Sequence, residues 1–410
     1  MANTEIVVVG ASLAGLRAAE DLRRLGFDGR LTVVGDEPHQ PYDRPPLSKQ
    51  VLAGDWEPDK IELPVTGGIE SLDLEWRLGV RATALDASAR TVTLEDGYEL
   101  SFDGLVVATG ATPRTLPHGD LPGIHTLRTL DDCLAIRAAL DATPGRVVVV
   151  GAGFIGAEVA ATCRGRGLDV TLVEALPVPL ERAVGLEIGA LTAEIHQEQG
   201  VDVRLGVGVD RFEGGDRVER VHLADGSAID ADVVVVGVGV RPMTDWLDGS
   251  GLTLEDGVVC DATGLAAPGI VAAGDVARWP SSRFGRSVRV EHWDNAIAMG
   301  EHVAGRLLAE LASAGPGAGG GTGDPPAVYD PVPWFWSDQY DRKIQLAGLA
   351  AGADEMQVVD GSLAERRFAA IYRSGDRIVG VLAMNRPRLV VKYRPLIEQG
   401  APWAEALALT

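Results

Sequence analysis

The sequence predicts an α/β protein with two β-turn-α-β units and a separate α+β domain at the C-terminal end. The first observation is an internal repeat, because the segment IVVVGASLAG at 6–15 recurs as VVVVGAGFIG at 147–156. The second is a stretch at 313–326 that is rich in glycine and proline and predicts a flexible linker. Beyond the linker the composition becomes aromatic and basic, which indicates a distinct domain.

Each copy of the repeat predicts a β-strand, a glycine-rich turn and a helix, the helices lying at 16–25 and 157–167. A second β-branched run follows each helix and ends in an acidic residue, at 31–36 and at 170–174. This order is the plan of a Rossmann-type dinucleotide-binding domain. Further apolar runs that close on glycine supply more strands, at 105–110, 233–239 and 269–275.

Composition and charge exclude several classes of protein. A hydrophobic fraction of 46% over 410 residues supports well-formed cores and excludes a disordered or fibrous chain. With 37 basic and 59 acidic residues, the net charge of −22 makes a general nucleic-acid or anionic-membrane binder implausible. The charge is uneven, because residues 366–394 hold eight basic residues and one acid, Asp376.

The cysteines are few and widely spaced. Cys133, Cys163 and Cys260 form no CxxC pair, so the sequence predicts neither a redox disulfide nor a metal site. The start of the chain lacks the basic region of a signal peptide, and the longest apolar run, 147–163, is short and interrupted by Glu158 and glycines. We therefore expect a protein of the cytoplasm.

The second glycine-rich turn is a complete GxGxxG motif, formed by Gly151, Gly153 and Gly156. Its glycines permit a tight turn, a close approach of a pyrophosphate and close helix–strand packing, with the phosphates at the helix N-terminus. Glu174 ends the next strand and is placed to accept hydrogen bonds from ribose hydroxyls and to repel a 2′-phosphate. Ala175 follows it instead of an arginine, so the motif favours NADH over NADPH. The alternative is that Glu174 is a solvated acid at a strand end.

The first turn departs from the motif, because Ser12 stands between Gly10 and Gly15 where the middle glycine is expected. Serine is small enough to permit close approach of a phosphate. Either Asp36 or Glu37 could bind the ribose of the ligand here, since Gly35 occupies the usual acidic position. The loop at 41–49 follows, with Arg44 and Lys49 as cations beside the nucleotide turn or as an exposed basic loop.

The chain closely resembles the NADH-dependent, FAD-containing ferredoxin reductases of bacterial oxygenase systems, over 6 to about 394. The motifs that carry the resemblance occur in the family's order: GASLAG (10–15), DRPPLSK (43–49), LRTLDD (127–132), GAGFIGAE (151–158), AAGDVA (272–277), EHWDNA (291–296) and PWFWSDQY (333–340).

The resemblance implies a glutathione-reductase-like fold. It predicts a discontinuous FAD domain at 1–111 and 235–312, an NADH domain at 112–234, the linker at 313–326 and a C-terminal domain at 327–410 that covers the flavin. Applied residue by residue, it predicts these FAD contacts: Gly10, Ser12, Ala14, Gly15, Asp36 or Glu37, Arg44, Lys49, Ala82, Arg128, Asp275 and the main chain of Trp293.

The resemblance also implies which residues take part in the reaction. Glu158 would face the nicotinamide pocket and pair with Lys49, although its position alone suggests an acid that stabilises a helix start. Trp336 would lie near the flavin and nicotinamide, although Trp334 and Trp336 without an alignment suggest core packing.

The activity that follows is electron transfer from NADH through FAD to a [2Fe–2S] ferredoxin that feeds a cytochrome P450 or a Rieske-type oxygenase. The docking candidates for an acidic ferredoxin are Arg366, Arg367, Arg386, Arg388, Lys392 and Arg394, unless they form internal ion pairs. A rubredoxin reductase and a redox-sensing interaction protein resembling apoptosis-inducing factor are the alternatives. A thiol-dependent reductase on the same fold is disfavoured, because the loop at 40–52 has no cysteine.

Overall fold

The computed structural model describes residues 4–142, 145–314 and 325–409. The chain divides into two compact units. The first comprises Met1–Asp43, Glu62–Thr112 and Arg241–Pro333, and the second comprises Arg44–Ile61, Pro113–Val240 and Trp334–Thr410. Most of the predicted linker at 313–326 lies outside the described residues.

The helices are, in chain order, α1 (Leu13–Arg24), α2 (Gln50–Ala53), α3 (Leu130–Ala142), α4 (Phe154–Gly165), α5 (Glu181–Val184), α6 (Leu186–Glu198), α7 (Trp293–Ala314), α8 (Pro387–Gln399) and α9 (Trp403–Ala408).

The strands are β1 (Glu5–Val9), β2 (Arg30–Gly35), β3 (Glu75–Leu78), β4 (Ala82–Asp86), β5 (Thr91–Leu94), β6 (Glu99–Ser101), β7 (Gly104–Val107), β8 (Ala111–Pro113), β9 (Ile124–Thr126), β10 (Arg146–Val150), β11 (Asp169–Glu174), β12 (Asp202–Leu205), β13 (Val209–Gly214), β14 (Val218–Leu223), β15 (Ala228–Asp230), β16 (Val233–Val236), β17 (Val240–Pro242), β18 (Val258–Val259), β19 (Leu265–Ala267), β20 (Ile270–Ala272), β21 (Ala277–Ser281), β22 (Arg286–Val288), β23 (Trp334–Gln339), β24 (Arg342–Gly348), β25 (Glu355–Ser362), β26 (Arg367–Ser374) and β27 (Arg377–Met384).

The first unit is built on a six-stranded sheet in the order β19-β20-β7-β1-β2-β3. The pairs of β1 with β2 and β7, of β20 with β7 and of β2 with β3 are parallel. The strands read as nearly continuous apolar runs because the sheet is buried on both faces. The turn after β1 and the turn after β20 therefore lie at the same edge of the sheet, where ligands of such sheets bind.

The second unit contains the other Rossmann-type sheet, with the order β12-β11-β10-β16-β9, and a five-stranded antiparallel sheet, β23-β24-β27-β26-β25. The apolar face of α6, with Leu191 and Ile195, packs on that antiparallel sheet against Leu346, Phe368 and Leu382. All five side chains are at most 5% exposed. The predicted NADH domain and the predicted C-terminal domain therefore share one hydrophobic core.

Residues 44–61 pack on α3 and α4, although the sequence assigns them to the FAD domain. The Sγ of Cys133 donates to the Leu47 carbonyl oxygen at 3.1 Å, and the Thr162 hydroxyl donates to the Ser48 carbonyl oxygen at 2.8 Å. Arg166 donates to the Leu52 carbonyl oxygen at 2.9 Å. Because of these long-range contacts, the boundaries of the two compact units differ from the domain boundaries predicted from the sequence. The predicted three-domain division stays a prediction.

His196 links α6 to the antiparallel sheet, and its burial makes the stability of the fold sensitive to acid. The ring is fully buried, its Nδ1 lies 2.8 Å from the Tyr340 hydroxyl, and burial lowers its pKa from 6.5 to about 4. Below pH 6.5 the His196 ring takes up a proton in the unfolded chain but stays neutral in the folded chain. The free energy of unfolding is therefore not reduced by this group above pH 6.5, and it falls as the pH is lowered toward 4. Between pH 7 and pH 5, protonation of this single group in the unfolded chain lowers the free energy of unfolding by about 2 kcal/mol.

We expect His196→Gln to lose less thermal stability than the wild type when the pH falls from 7 to 5. Replacement of the exposed His118 by glutamine is the matched control and should keep the wild-type dependence. Thermal unfolding midpoints across this range test the prediction, and parallel curves for all three proteins would contradict it.

Candidate active site

The first glycine-rich turn lies at the carboxyl end of β1 in the first unit. Gly10 has a φ of +123°, and a Cβ at this position would lie 2.0 Å from the Ala108 carbonyl oxygen, so only glycine fits the turn. Ser12 is extended, with φ −113° and ψ −163°, and is the N-cap of α1. A serine is therefore accommodated where the motif usually has glycine, and the turn presents the start of α1 as an anion site.

Asp275 and Trp293 lie on neighbouring elements of the same unit. A turn of 3₁₀ helix, Gly274–Val276, follows β20, and a Cβ at Gly274 would lie 2.9 Å from the Ala14 Cβ. Asp275 is thereby held close to the first turn of α1. Trp293 begins α7, and its Nε1 donates to Asp43 at 2.7 Å.

The two candidate ribose acids follow β2 and differ in their surroundings. The Asp36 side chain is 41% exposed and lies 3.8 Å from Arg81. The Glu37 carboxylate accepts a hydrogen bond from the Tyr42 hydroxyl at 2.5 Å. Ala82 begins β4 one residue after Arg81, so its backbone lies in the same neighbourhood. The choice between Asp36 and Glu37, and the adenine contact of Ala82, stay predictions.

The second glycine-rich turn lies at the carboxyl end of β10 in the second unit. A Cβ added to Gly153 would meet no described atom within 4 Å, so the protein itself does not require glycine there. The open space in front of α4 is what the close approach of a pyrophosphate needs. Glu174 ends β11, and its two carboxylate oxygens accept hydrogen bonds from Ala152 N at 2.6 Å and Leu176 N at 2.9 Å.

Glu158 is a buried carboxylate, 3% exposed, on the helix that follows this turn. Its Oε2 accepts from Lys49 Nζ at 2.6 Å and from the Ser48 hydroxyl at 2.5 Å. Its Oε1 accepts from the Ser337 hydroxyl at 2.7 Å and from Asp338 N at 3.3 Å. Several donors compensate the cost of removing this charge from water, and the predicted Lys49–Glu158 pair is formed in the structure.

Strand β23 packs along α4, and the distance between successive contact positions is similar on the helix and on the strand. Phe154 and Glu158 are four residues apart on one face of the helix, a rise of about 6 Å, and alternate strand residues are about 6.6 Å apart. Phe154 accordingly packs edge-to-face on Phe335, with centroids 4.5 Å apart, while Glu158 bonds to Ser337. The two helix positions therefore meet alternate residues of β23.

Trp334 and Trp336 alternate with Phe335 and Ser337 along β23. Their rings are stacked, with centroids 5.2 Å apart and planes 27° apart, and both side chains are only half-buried. The pair is therefore not fully enclosed core packing. The role of Trp336 near flavin and nicotinamide stays a prediction.

Arg44 and Arg128, two other predicted FAD contacts, are brought together in the second unit. Arg44 Nη1 donates to the Arg128 carbonyl oxygen at 2.6 Å. Asp132 in turn accepts from the backbone N–H groups of Arg128 and Thr129, each at 2.9 Å, and so fixes the start of α3. Their binding of FAD, like that of Lys49, stays a prediction.

The six basic docking candidates are not equivalent. Arg366 pairs with Glu194 at 2.8 Å and Glu198 at 2.7 Å, Arg386 pairs with Asp360 at 2.8 Å, and Arg394 pairs with Glu398 at 3.3 Å. The remaining three candidates, Arg367, Arg388 and Lys392, are exposed, and none of them forms an ion pair with another described residue. Internal pairing, the alternative considered from the sequence, thus accounts for half of the set.

The three cysteines are buried free thiols, and burial raises the pKa of each to about 12. A thiol with so high a pKa is a poor nucleophile, since the thiolate is the reactive form. In the described part of the chain, no group of three His, Cys, Asp or Glu side chains is arranged to hold a metal ion. No helix among these residues has the length and apolar character needed to cross a bilayer.

We expect the variant with all three cysteines replaced by alanine or serine to keep NADH-to-ferricyanide turnover within about twofold of the wild type, because buried neutral thiols take no part in the reaction. Turnover and bound flavin are measured on the same folded sample. A large loss of turnover with flavin still bound would support a thiol-dependent mechanism.

Two serines at the Glu158 site were not singled out from the sequence. Ser48 and Ser337 lie inside motifs that carry the resemblance, but serine has no residue signature that distinguishes a carboxylate donor from a loop residue. Only the approach of three distant chain segments shows their function as donors.

Two Rossmann-type turns and a buried glutamate paired with a lysine indicate a pyridine-nucleotide-dependent oxidoreductase. Comparison with known families agrees, because residues 4–300 match the Pyridine nucleotide-disulphide oxidoreductase model and residues 334–409 match the Reductase C-terminal model.

Individual relatives narrow the class. The chain is 38% identical to rhodocoxin reductase of Rhodococcus erythropolis, over 97% of this chain and 90% of the relative. It is also 38% identical to the ferredoxin–NAD(+) reductase component of the biphenyl dioxygenase system of Paraburkholderia xenovorans, over 93% and 90%. The solved covalent putidaredoxin reductase–putidaredoxin complex is similar at a TM-score of 0.89 and 34% identity, over 98% of this chain and 94% of that one.

The chain therefore belongs to the pyridine nucleotide-disulphide oxidoreductases, in the family of flavoprotein ferredoxin reductases that serve oxygenase systems. The predicted family and fold class are confirmed.

Proposed function

We propose that this protein is an NADH-dependent ferredoxin reductase that passes electrons through FAD to a [2Fe–2S] ferredoxin of a cytochrome P450 or Rieske-type oxygenase system. The observation that carries the proposal is the presence of two nucleotide turns together with the Glu158–Lys49 pair beside the second turn. A ferredoxin is proposed as the electron acceptor because the relatives are named as reductases of such proteins.

The residues of the first unit fit FAD. The start of α1 after the turn at Gly10 would bind the pyrophosphate, Asp275 would bind a ribityl hydroxyl, and Asp36 or Glu37 would bind the adenosine ribose. NADH yields two electrons together and an iron–sulfur centre takes one at a time, and bound FAD supplies the chemistry that joins the two.

In this proposal, NADH binds to residues of the second unit. Gly151, Gly153 and Gly156 would bind the pyrophosphate, and Glu174 would bind the ribose hydroxyls and exclude a 2′-phosphate. The nicotinamide ring gains positive charge when it loses hydride, so the Glu158 carboxylate would stabilise that charge, with Lys49 holding the carboxylate in place.

The proposal is tested by the absorbance spectrum of the purified protein, followed by titration with NADH in the absence of oxygen. We expect flavin bands that bleach on addition of about one equivalent of NADH per flavin, because one hydride reduces one flavin. A colourless protein that binds no added FAD, or flavin bands that NADH does not change, would overturn the proposal. Slow reduction of every acceptor, including an added [2Fe–2S] ferredoxin, would favour the redox-sensing interaction protein.

We further propose that the acidic ferredoxin docks on the exposed face of α8. Arg388 and Lys392 are exposed there, one turn apart, beside Val391, which is 75% exposed. Arg367 lies near the start of that helix, because Phe368 pairs with Met384 at the end of β27. Basic residues around an exposed apolar side chain suit an acidic partner. The protein as a whole, with a net charge of −22, would repel such a partner.

Charge reversal of Arg388 and Lys392 to glutamate is expected to raise the KM for ferredoxin about tenfold at low salt, because rim charges act mainly on encounter. The KM for NADH should be unchanged. Steady-state rates with a [2Fe–2S] ferredoxin and with ferricyanide measure both. Lys60→Glu, which reverses an exposed charge elsewhere in the second unit, is the control. An unchanged KM for ferredoxin would place the docking face elsewhere.

The cytoplasm is the proposed location, since free cysteine thiols suit a reducing compartment.

A further inference from the structure

The Glu158 carboxylate has more donors than its pair with Lys49 requires. Ser48 comes from the 3₁₀ turn Pro45–Ser48, and Ser337 comes from β23, so three segments far apart in sequence meet at one side chain. Ser48 is 2% exposed and Ser337 is fully buried. Neither hydroxyl is placed at a surface where water could substitute for it.

The directions of these hydrogen bonds follow from their neighbours. Ser337 Oγ accepts from Gln339 Nε2 at 3.2 Å, so its single hydrogen is directed to Glu158 at 2.7 Å. Ser48 Oγ accepts from Lys49 Nζ at 3.2 Å and donates to Glu158 at 2.5 Å, a shorter contact than its 3.3 Å distance to the Pro45 carbonyl oxygen. Each carboxylate oxygen is therefore held by one serine hydroxyl.

We infer that Ser48 and Ser337 are positioning residues for the oxidation of NADH, which they influence by fixing the orientation of the Glu158 carboxylate. This inference rests on the proposed function, in which Glu158 faces the nicotinamide. A charged group stabilises a developing charge best when it is held in place before the reaction, so that no reorganisation is needed. Lys49 holds one oxygen, whereas the two serines together fix both oxygens and thus the plane of the carboxylate.

Through Ser337, the C-terminal domain takes part in positioning the Glu158 carboxylate. Ser337 belongs to the antiparallel sheet, which the sequence suggested only as a cover and docking element. The packing of Phe335 on Phe154 holds this strand against α4, so the register that delivers Ser337 to Glu158 is built into the core of the second unit.

Ser337→Ala and Ser48→Ala test the inference in the flavin-loaded protein by anaerobic stopped-flow reduction over a range of NADH concentrations. We expect the limiting rate constant to fall roughly tenfold in each variant, the effect of one hydrogen bond to a charged group. The apparent Kd for NADH should change by less than about twofold, because nucleotide binding depends on the glycine turn and Glu174. Ser374→Ala, at an exposed strand end, is the matched control and should behave as the wild type.

A double variant separates positioning from mere structural support. If Ser337 acts through the carboxylate, Ser337→Ala should cause no further loss of rate in a Glu158→Gln background. An equal loss in both backgrounds, or wild-type limiting rates in the serine variants, would overturn the inference. If Ser337→Ala does not fold, Ser48→Ala alone and with Glu158→Gln decides the question. A wild-type protein that NADH does not reduce would instead refute the proposed function.

Discussion

We expect Glu158→Gln to lower the limiting rate constant for flavin reduction by NADH by about a hundredfold, the size of effect expected when a preorganised charge beside the reacting group is removed. Glutamine keeps the shape of the side chain and one acceptor for Lys49, so the fold and bound FAD should be retained. The partly buried ammonium of Lys49, 13% exposed, makes Glu158→Ala a harsher test, because that variant leaves a largely desolvated charge without its partner.

Anaerobic stopped-flow absorbance at saturating NADH measures this effect directly. Glu365→Gln, which removes an exposed carboxylate from the same unit, serves as the control and should be reduced at the wild-type rate. If Glu158→Gln is also reduced at the wild-type rate with full flavin content, Glu158 only stabilises the contact between α4 and β23.

The second large effect concerns the choice of nucleotide. We expect Glu174→Ala combined with Ala175→Arg to shift the ratio of kcat/KM for NADH over that for NADPH by about a hundredfold toward NADPH. The double variant removes the carboxylate that is proposed to accept two ribose hydrogen bonds and to repel a 2′-phosphate, and it adds a guanidinium that is suited to bind the phosphate.

The single variants separate the two contributions. Ala175→Arg alone should improve use of NADPH less than the double variant, because the Glu174 carboxylate would still repel the phosphate. Glu174 also accepts from Ala152 N and Leu176 N, so flavin reduction at high NADH must be measured to show that the turn is intact in Glu174→Ala. A wild-type protein that used NADPH as well as NADH would contradict this role of Glu174.

The sequence by itself predicted the nucleotide turns, because their requirements are local. A turn such as that at Gly10 needs a residue that tolerates a positive φ, and a helix N-terminus needs space for a phosphate, so both leave a signature within ten residues. The acids just after β2 and at the end of β11 follow from strand length for the same reason.

Only the tertiary structure decided how the distant segments combine. The sharing of one core by α6 and the antiparallel sheet depends on which apolar faces meet, and many faces of similar hydrophobicity were available. Likewise, the sequence left open whether Arg366 is a docking charge or an internal ion-pair partner, and in the structure it pairs with Glu194 and Glu198. Ser48 and Ser337 became donors to Glu158 for the same physical reason: burial of a carboxylate demands hydrogen bonds, and the demand is met by whichever segments the packing brings within reach.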